Sequence, residues 1–263
     1  MNSGAMATPV MLDLRAEAAA AALALDRAAL NELERGAAIG TWRGRMVNEH
    51  ISARVFAGMI PQMMAAGVPA SCTAEVADMI AEELRHGVLC AAVVHALGGD
   101  ATAELPPLPA VPLHADAEPL EALLRNVLSI ACLSETVAVA LIGAERELAG
   151  PPVLQSTLAT ILADEVGHAR FGWRLLETLG PRLTPDLRAR LGDYLVAAFR
   201  HLREHELAHL PPRPAPSALA ESYGVCDGDE ARVLFFETVR SVIIPGLEAH
   251  GIPAERAWAA SQR

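Results

Sequence analysis

The sequence contains no lysine and few aromatic residues. All 21 basic residues among its 263 are arginines, and 32 acidic residues outnumber them, which leaves a net charge of −11. Three Trp, two Tyr and five Phe are the whole aromatic complement. An acidic chain without a basic stripe or a series of aromatic side chains lacks the features that nucleic-acid binding requires. We therefore expect no nucleic-acid partner.

Cysteine is also scarce, and the four cysteines do not form a CxxC pair. They lie far apart, at positions 72, 90, 132 and 226, which favours free thiols over disulfides. The N-terminal segment lacks a basic region followed by an apolar one, so no signal peptide is predicted. The most apolar stretch, 127–144, contains Glu135, which argues against a membrane span. These features favour a cytoplasmic protein without membrane contact.

Hydrophobic residues, by contrast, make up 52% of the chain, and the prolines fall mostly between long apolar segments. This pattern predicts an all-α protein with a substantial core. Gly36 and Gly40 are expected to separate the first two helices, with Thr41 capping the second. Pro211 and Pro212 are expected to end the sixth, and Pro245 to break or kink the seventh. The predicted helices cover 12–35, 41–66, 71–98, 118–149, 152–179, 185–210 and 228–250, with a short last helix after Pro253.

Two of these helices carry a Glu-x-x-His motif, one running from Glu83 to His86 and the other from Glu165 to His168. Residues three apart share a face of an α-helix, so each motif points a carboxylate and an imidazole in the same direction. Two other predicted helices each place one glutamate on an otherwise apolar stripe; these are Glu49 and Glu135. Two such motifs and two further glutamates, from four helices, form the ligand set of a dinuclear iron or manganese centre.

This set of residues resembles the ferritin-like di-iron carboxylate superfamily over roughly residues 41–175. The local sequences EELRHG and DEVGHA are most similar to acyl-carrier-protein desaturases and bacterial multicomponent hydroxylases. The resemblance implies a ferritin-like four-helix bundle over 41–180, with a long crossover through the proline-rich stretch 99–117. It also implies a single domain, 1–263, in which one N-terminal helix (12–35) and two or three C-terminal helices (185–262) are accessory.

The same resemblance implies roles for residues around the six ligands. In the relatives, the acid preceding each motif glutamate hydrogen-bonds the histidine of the other motif. Here Asp164 would orient His86, and Glu82 would orient His168.

Three further positions each lie one helical turn from a predicted ligand. Cys90 stands where ribonucleotide reductase small subunits carry a radical tyrosine, and Val139 where the hydroxylases carry threonine. Ile161 stands where the N-oxygenases of this superfamily carry an additional histidine. We expect these three side chains to line an apolar substrate pocket beside the metals.

These residues favour an O₂-activating oxidase or oxygenase of a small organic substrate. Its cofactor would be two iron ions, or manganese and iron, with O₂ as co-substrate. Two other functions stay open: a ferroxidase or iron-handling protein that uses the same site, and a helical scaffold without metal. An electron-donor protein and a second copy of the chain are candidate partners. Metal content separates the scaffold from the other two functions, and turnover of an organic substrate separates the oxygenase from the ferroxidase.

Overall fold

The computed structural model describes residues 10–107, 110–210 and 214–263, and this part of the chain is almost entirely helical. The all-α class predicted from the composition is confirmed. The expected helix end at Pro211 and Pro212 lies outside the described residues, as do residues 1–9. The elements, in chain order, are β1 (Met11–Asp13), α1 (Arg15–Ala20), α2 (Glu32–Ala65), α3 (Ala70–Ala96), β2 (Thr102–Glu104), α4 (Pro119–Val127), a π-helical segment (Leu128–Ser134), α5 (Glu135–Leu148), α6 (Pro152–Leu179), a 3₁₀ turn (Gly180–Arg182), α7 (Pro185–His209), α8 (Ala218–Ser222), α9 (Gly228–Thr238), a second π-helical segment (Val239–Ile243), α10 (Ile244–Ala249) and α11 (Ala254–Ser261).

The longest helix, α2, begins at Glu32 and not at residue 41. Asn31 fixes this start, because its side chain accepts a hydrogen bond from the backbone N–H of Glu34. The Glu34 carboxylate in turn accepts one from the backbone N–H of Asn31, which completes a capping box. The Asn-x-x-Glu spacing is present in the sequence and is the signal for the true helix start.

The expected break at Gly36 and Gly40, with Thr41 as a cap, is therefore wrong. All three residues lie inside α2, and the Thr41 hydroxyl donates to the carbonyl of Ala37 one turn earlier. A glycine costs a helix only about 1 kcal/mol relative to alanine. Complete burial of neighbouring side chains such as Trp42 on this part of α2 outweighs that cost.

The predicted helix over 12–35 is also wrong. Residues 11–13 form β1, which pairs antiparallel with β2, and only Arg15–Ala20 is helical before α2. Leu12 and Leu30 are both buried, at either end of this irregular segment. Alanine favours a helix only weakly, so strand pairing and burial of these two leucines decide the path of the chain.

Two helical hairpins frame the centre of the structure. Helices α2 and α3 are joined by residues 66–69, and α5 and α6 by residues 149–151, and the partners in each hairpin pack on each other. Helices α3 and α6 also pack together, which brings the hairpins into contact.

The connector between the hairpins is non-helical in its described residues, as predicted for 99–117, and contains β2. Two buried amides hold it in place. The side-chain nitrogens of Gln62 and Asn126 donate to the carbonyl of Pro112 at 3.1 and 2.8 Å. The Asn126 side-chain nitrogen also donates to Oε1 of the Gln62 side-chain amide at 2.7 Å. The connector is thereby fixed to both α2 and α4.

The predicted helix over 118–149 is interrupted by the π-helical segment Leu128–Ser134, which the apolar periodicity did not reveal. Gly172 on α6 accommodates this segment. A Cβ atom at Gly172 would lie 2.7 Å from the Cβ of Ala131 and 2.9 Å from its carbonyl carbon. The π-helical backbone therefore rests directly on α6, immediately before Glu135. Such segments widen the helical turn and reorient the residues that follow them.

The C-terminal part contains more helices than the two or three expected. Residues 228–250, predicted as a helix that Pro245 breaks or kinks, are divided just before that proline by the second π-helical segment, and Pro245 lies in the first turn of α10. Phe199, Phe235 and Trp258 from this part share one hydrophobic cluster with Phe56 of α2. The C-terminal helices thus contribute directly to the core around the hairpins.

One helical stretch in the described ranges, Pro119–Leu148, is long and apolar enough to cross a membrane. Of its most apolar window, 44% is buried inside the protein. This is weak evidence for a span, because the core helix of a soluble protein meets the same criteria of length and composition.

Gly172→Ala should lower the free energy of unfolding by about 1–3 kcal/mol, because the added methyl group meets the backbone of Ala131 and Cys132. Gly143→Ala on α5 is the matched control. Nothing lies within 4 Å of its Cβ position, so alanine should stabilise the helix by up to about 1 kcal/mol. Urea unfolding followed by circular dichroism measures both variants. If Gly172→Ala is as stable as the parent, the proposed packing of the π-helical segment is wrong.

Candidate metal centre

Helices α2, α3, α5 and α6 bring a group of acidic and imidazole side chains together between the two hairpins. Each is buried, and Glu83, His86 and His168 are the most deeply buried, with exposures of 1%, 0% and 1%. The six residues predicted from the sequence to converge are all present, and no other residue in the described part of the chain joins them: Glu49, Glu83, His86, Glu135, Glu165 and His168.

Their potential ligand atoms form two overlapping groups, in each of which the atoms lie within 4.8 Å of one another. Glu49 and His86 belong only to the first group, and Glu135 and His168 only to the second. The carboxylates of Glu83 and Glu165 belong to both groups. The arrangement therefore offers two adjacent cation positions with two shared carboxylates. The shared residues are the glutamates of the two Glu-x-x-His motifs.

Each imidazole is held on its outer side by a carboxylate from the opposite motif helix. His86 Nε2 lies 3.0 Å from Asp164 Oδ2, and His168 Nε2 lies 2.9 Å from Glu82 Oε2. Both contacts expected from the sequence are present. A carboxylate can only accept, so Nε2 carries the proton in each ring and Nδ1 of the neutral ring keeps its lone pair.

The two Nδ1 atoms face into the cluster. His86 Nδ1 lies 3.5 Å from oxygens of Glu49 and Glu165, and His168 Nδ1 lies 3.1 Å from Glu83 Oε1. These approaches do not have hydrogen-bond geometry. Among the described residues, neither Nδ1 nor either oxygen of Glu83 has a hydrogen-bond partner.

These unpartnered buried atoms indicate whether the residues fit a metal. A buried carboxylate or imidazole without a partner is costly, and several in one place are rare in folded proteins. Divalent cations in the two positions would be bound by these same atoms, namely the Nδ1 lone pairs and the inward-facing carboxylate oxygens. The donor set and its geometry therefore fit a pair of metal ions.

Without a cation, the carboxylates resist ionisation. Burial, and then the charges of Glu165 and Glu49, raise the pKa of Glu83 to about 11. Burial and the same Glu165 charge raise the pKa of Glu135 well above its usual value. At neutral pH Glu83 therefore holds a proton unless a cation replaces it, and Glu135 ionises much less readily than a free glutamate.

The pKa values of the two imidazoles and of Glu165 shift in the direction that favours their charged forms. Burial disfavours the imidazolium of His86, but the carboxylates of Glu165 and Glu49 outweigh it and raise its pKa to about 10. His168 behaves in the same way, with a pKa raised to about 9. Burial also disfavours the Glu165 carboxylate, yet the rings of His168 and His86 lower its pKa. The cluster thus balances its charge internally only by retaining protons.

The three predicted pocket residues are not equivalent in the structure. Cys90 and Ile161 are buried in one apolar cluster that also contains Trp42, whereas Val139 is half-buried outside it. Open hollows of about 550 and 490 Å³ lie elsewhere on the described part of the protein, and none of these three residues lines either of them. The pocket remains a prediction.

Two structural features beside the cluster are not predicted by any pattern in the sequence. Arg45, one turn before Glu49 on α2, forms an ion pair with Glu145 of α5. The residues are 100 positions apart, and no local pattern in the sequence links them. The π-helical segment before Glu135 likewise has no signature in the apolar periodicity.

The class that the fold and the site define is a helical protein with a buried carboxylate–histidine cluster able to bind metal. Comparison of this chain with protein-family models, with curated proteins and with solved structures gives no match.

Asp164→Asn should weaken metal binding about 10–100-fold, because an amide is a poorer partner for His86 Nε2–H than a carboxylate. Isothermal titration with Fe²⁺ under anaerobic conditions measures the affinity. Asp78→Asn, the same change at an exposed position of α3, is the control and should leave the affinity unchanged. An unaltered affinity in Asp164→Asn would remove the role assigned to this contact.

Proposed function

We propose that this chain is a ferritin-like di-iron carboxylate protein that activates O₂ to oxidise or oxygenate a small organic molecule. The observation that carries the proposal is the pair of adjacent ligand groups sharing Glu83 and Glu165, into which both unpartnered Nδ1 atoms face. Two facing hairpins joined by a long connector support the ferritin-like assignment, because that fold has one such crossover.

The donor chemistry favours iron or manganese. Carboxylate oxygens are hard ligands, and neutral imidazoles complete a sphere suited to Fe²⁺ and Mn²⁺, while no thiolate belongs to either ligand group. The four glutamates carry four negative charges when ionised, and two divalent cations carry four positive charges. A pair of such ions would therefore neutralise the carboxylates without the retained protons.

The protein's own residues have three tasks in this proposal. Glu83 and Glu165 hold both positions at a fixed separation, because each belongs to both ligand groups. Asp164 and Glu82 keep the proton on Nε2 and so keep each Nδ1 available. The surrounding buried apolar residues exclude water, which protects a reactive site from side reactions. Bound iron would supply the electrons that reduce O₂.

A metal measurement followed by O₂ uptake tests the proposal. Protein produced with iron in the medium should contain about two iron ions per chain by mass spectrometry. The reduced protein should then consume O₂ in proportion to the turnover of an organic substrate from a panel of small acids, alcohols and aromatics. O₂ uptake that depends on added Fe²⁺ alone would indicate a ferroxidase. Protein without any metal affinity would indicate a scaffold and end the proposal.

The sharing of ligands predicts a difference between glutamate variants. Glu165→Gln removes a ligand of both positions, so the metal content should fall from about two ions per chain to well below one. Glu135→Gln removes a ligand of one position, so about one ion should remain. Mass spectrometry of dialysed, iron-loaded protein gives both numbers, with circular dichroism as the control for folding. An equal loss in the two variants would contradict the shared role of Glu165.

Metal binding should release protons and should weaken as the pH falls. The raised pKa values of Glu83 (about 11), His86 (about 10) and His168 (about 9) mean that all three groups are protonated at pH 7 without metal. A cation must displace these protons, so its affinity should rise with pH up to at least pH 9. Calorimetry with Zn²⁺ in buffers of different ionisation enthalpy should detect more than one proton released per protein. No release at pH 7 would show that the ligands are already deprotonated.

A further inference from the structure

The C-terminal half of α7 carries a row of three histidines that the proposed function does not use. His201, His205 and His209 follow one another at intervals of four residues, so they lie along one face of the helix. All three residues are exposed. The segment 205–209 has the sequence HELAH, which is an H-E-x-x-H motif on a helix. Such a motif places two imidazoles on one helical face, the arrangement that binds Zn²⁺ in metalloproteases.

The two histidines of this motif are the closer pair in the row. The ring centroids of His205 and His209 lie 4.4 Å apart, whereas those of His201 and His205 lie 6.2 Å apart. Because Zn–N bonds measure about 2 Å, one ion requires two ring nitrogens roughly 3–3.5 Å apart. Small rotations of two exposed side chains bring one nitrogen of each ring to this separation. The pair at 205 and 209 is therefore the one placed to chelate an ion.

The ring of His209 is already in a tautomer that suits a metal ligand. Its Nδ1 lies 2.8 Å from the backbone carbonyl oxygen of His205, and a carbonyl can only accept, so Nδ1 carries the proton. The lone pair of the neutral ring is therefore on Nε2. Metal-binding histidines donate their other N–H to a carbonyl or carboxylate in this way, which fixes the tautomer and orients the ring. Stacking of two exposed rings does not require this contact.

The end of the helix that carries the pair is held in place by α9. Arg232 of α9 donates to the backbone carbonyls of Leu207 and Leu210 at the end of α7. The last carbonyl groups of a helix have no partner within it, so an added donor keeps the last turn ordered. The two imidazoles therefore project from a fixed turn, which lowers the entropy lost when an ion binds.

The motif lacks the third ligand of a zinc enzyme. Catalytic zinc sites use three protein ligands and keep one position for water. Among the described residues, no group of three potential ligand atoms within 4.8 Å of one another includes His205 or His209. The pair therefore suits the binding of an ion and not hydrolysis, and two positions of a tetrahedral sphere stay open to water.

We propose that His205 and His209 form a second metal site, which binds one divalent ion of the Zn²⁺, Ni²⁺ or Cu²⁺ class at the surface of the protein. Imidazole nitrogen suits these ions, whereas the carboxylate-rich buried cluster favours iron or manganese. The site lies on α7, outside the four helices that carry the buried cluster. The inference is therefore independent of the proposed oxidase or oxygenase function.

Zn²⁺ is the probe, titrated calorimetrically into the full-length, iron-loaded protein under anaerobic conditions at about pH 7.5, where most imidazoles are neutral. The parent should bind about one Zn²⁺ per chain more than His205→Gln or His209→Gln, because a single remaining imidazole cannot chelate the ion. Glutamine is a good helix former, so neither change should disturb α7. Circular dichroism verifies folding. The same Zn²⁺ count in the parent and in both variants would overturn the inference.

His201→Gln is the matched control, since it removes the same type of side chain from the same face of α7. Its Zn²⁺ count should equal that of the parent. An equal loss of Zn²⁺ in His201→Gln would show that the row has no preferred pair, and would overturn the assignment to His205 and His209.

Histidine ring NMR of the parent tests the pair without any substitution. Added Zn²⁺ should shift the ring nitrogen signals of His205 and His209, with Nε2 of His209 unprotonated before the ion is added. Ring signals of these two residues that do not change with Zn²⁺ would overturn the inference even if the variants fail to fold.

Glu165→Gln separates the two metal sites, because it removes a shared ligand of the buried cluster and leaves α7 untouched. Zn²⁺ bound through His205 and His209 should persist in this variant. Such binding in a protein that takes up no iron would end the proposed function and leave the surface site standing. Iron uptake and O₂ consumption without Zn²⁺ binding that depends on these histidines would do the reverse.

Discussion

Mutual repulsion of four carboxylates in a dry helical core is the constraint on which the rest of this structure depends. Glu49, Glu83, Glu135 and Glu165 lie so close together that they cannot all be ionised without compensation. Protons on some of them and positive charge on the imidazoles supply that compensation in the chain alone. Two cations would supply it better, because they would also satisfy the atoms that have no hydrogen-bond partner. Packing of the long helices and of the apolar side chains around the cluster must offset the repulsion between these carboxylates.

Much of the candidate site could be predicted from the sequence, because helical spacing fixes direction. Residues three apart share a face, so Glu83 with His86, and Glu165 with His168, had to point together wherever their helices lay. The pairing of the two motifs needed the resemblance to a known superfamily, since nothing in the spacing specifies which helices meet. Membership of the cluster therefore followed from the sequence, whereas its distances and protonation follow only from the fold.

The fold was less predictable where local preference and tertiary contact disagree. The alanine-rich residues 12–35 are predicted to form a helix. Pairing of β1 with β2 and burial of Leu12 and Leu30 instead hold most of them in non-helical conformations. Gly36 and Gly40 are predicted to separate two helices, but the capping box at Asn31 starts α2 before both glycines, and both lie inside it. The π-helical segment Leu128–Ser134 depends on space beside Gly172, a contact across the structure that periodicity cannot encode. The first and third of these misses concern long-range packing, whereas the capping box is a local signal that the sequence itself carries.

The crossed hydrogen bonds at the histidines have a consequence for the ancestry of such a chain. Glu82 of the first hairpin orients His168 of the second, and Asp164 of the second orients His86 of the first. A hairpin with one motif is therefore chemically incomplete, because the carboxylate that fixes its imidazole always lies opposite. Two identical hairpins facing each other would complete one another in the same way. Duplication of one such hairpin would produce this double motif. The connector that contains Pro112 joins the two hairpins into one chain.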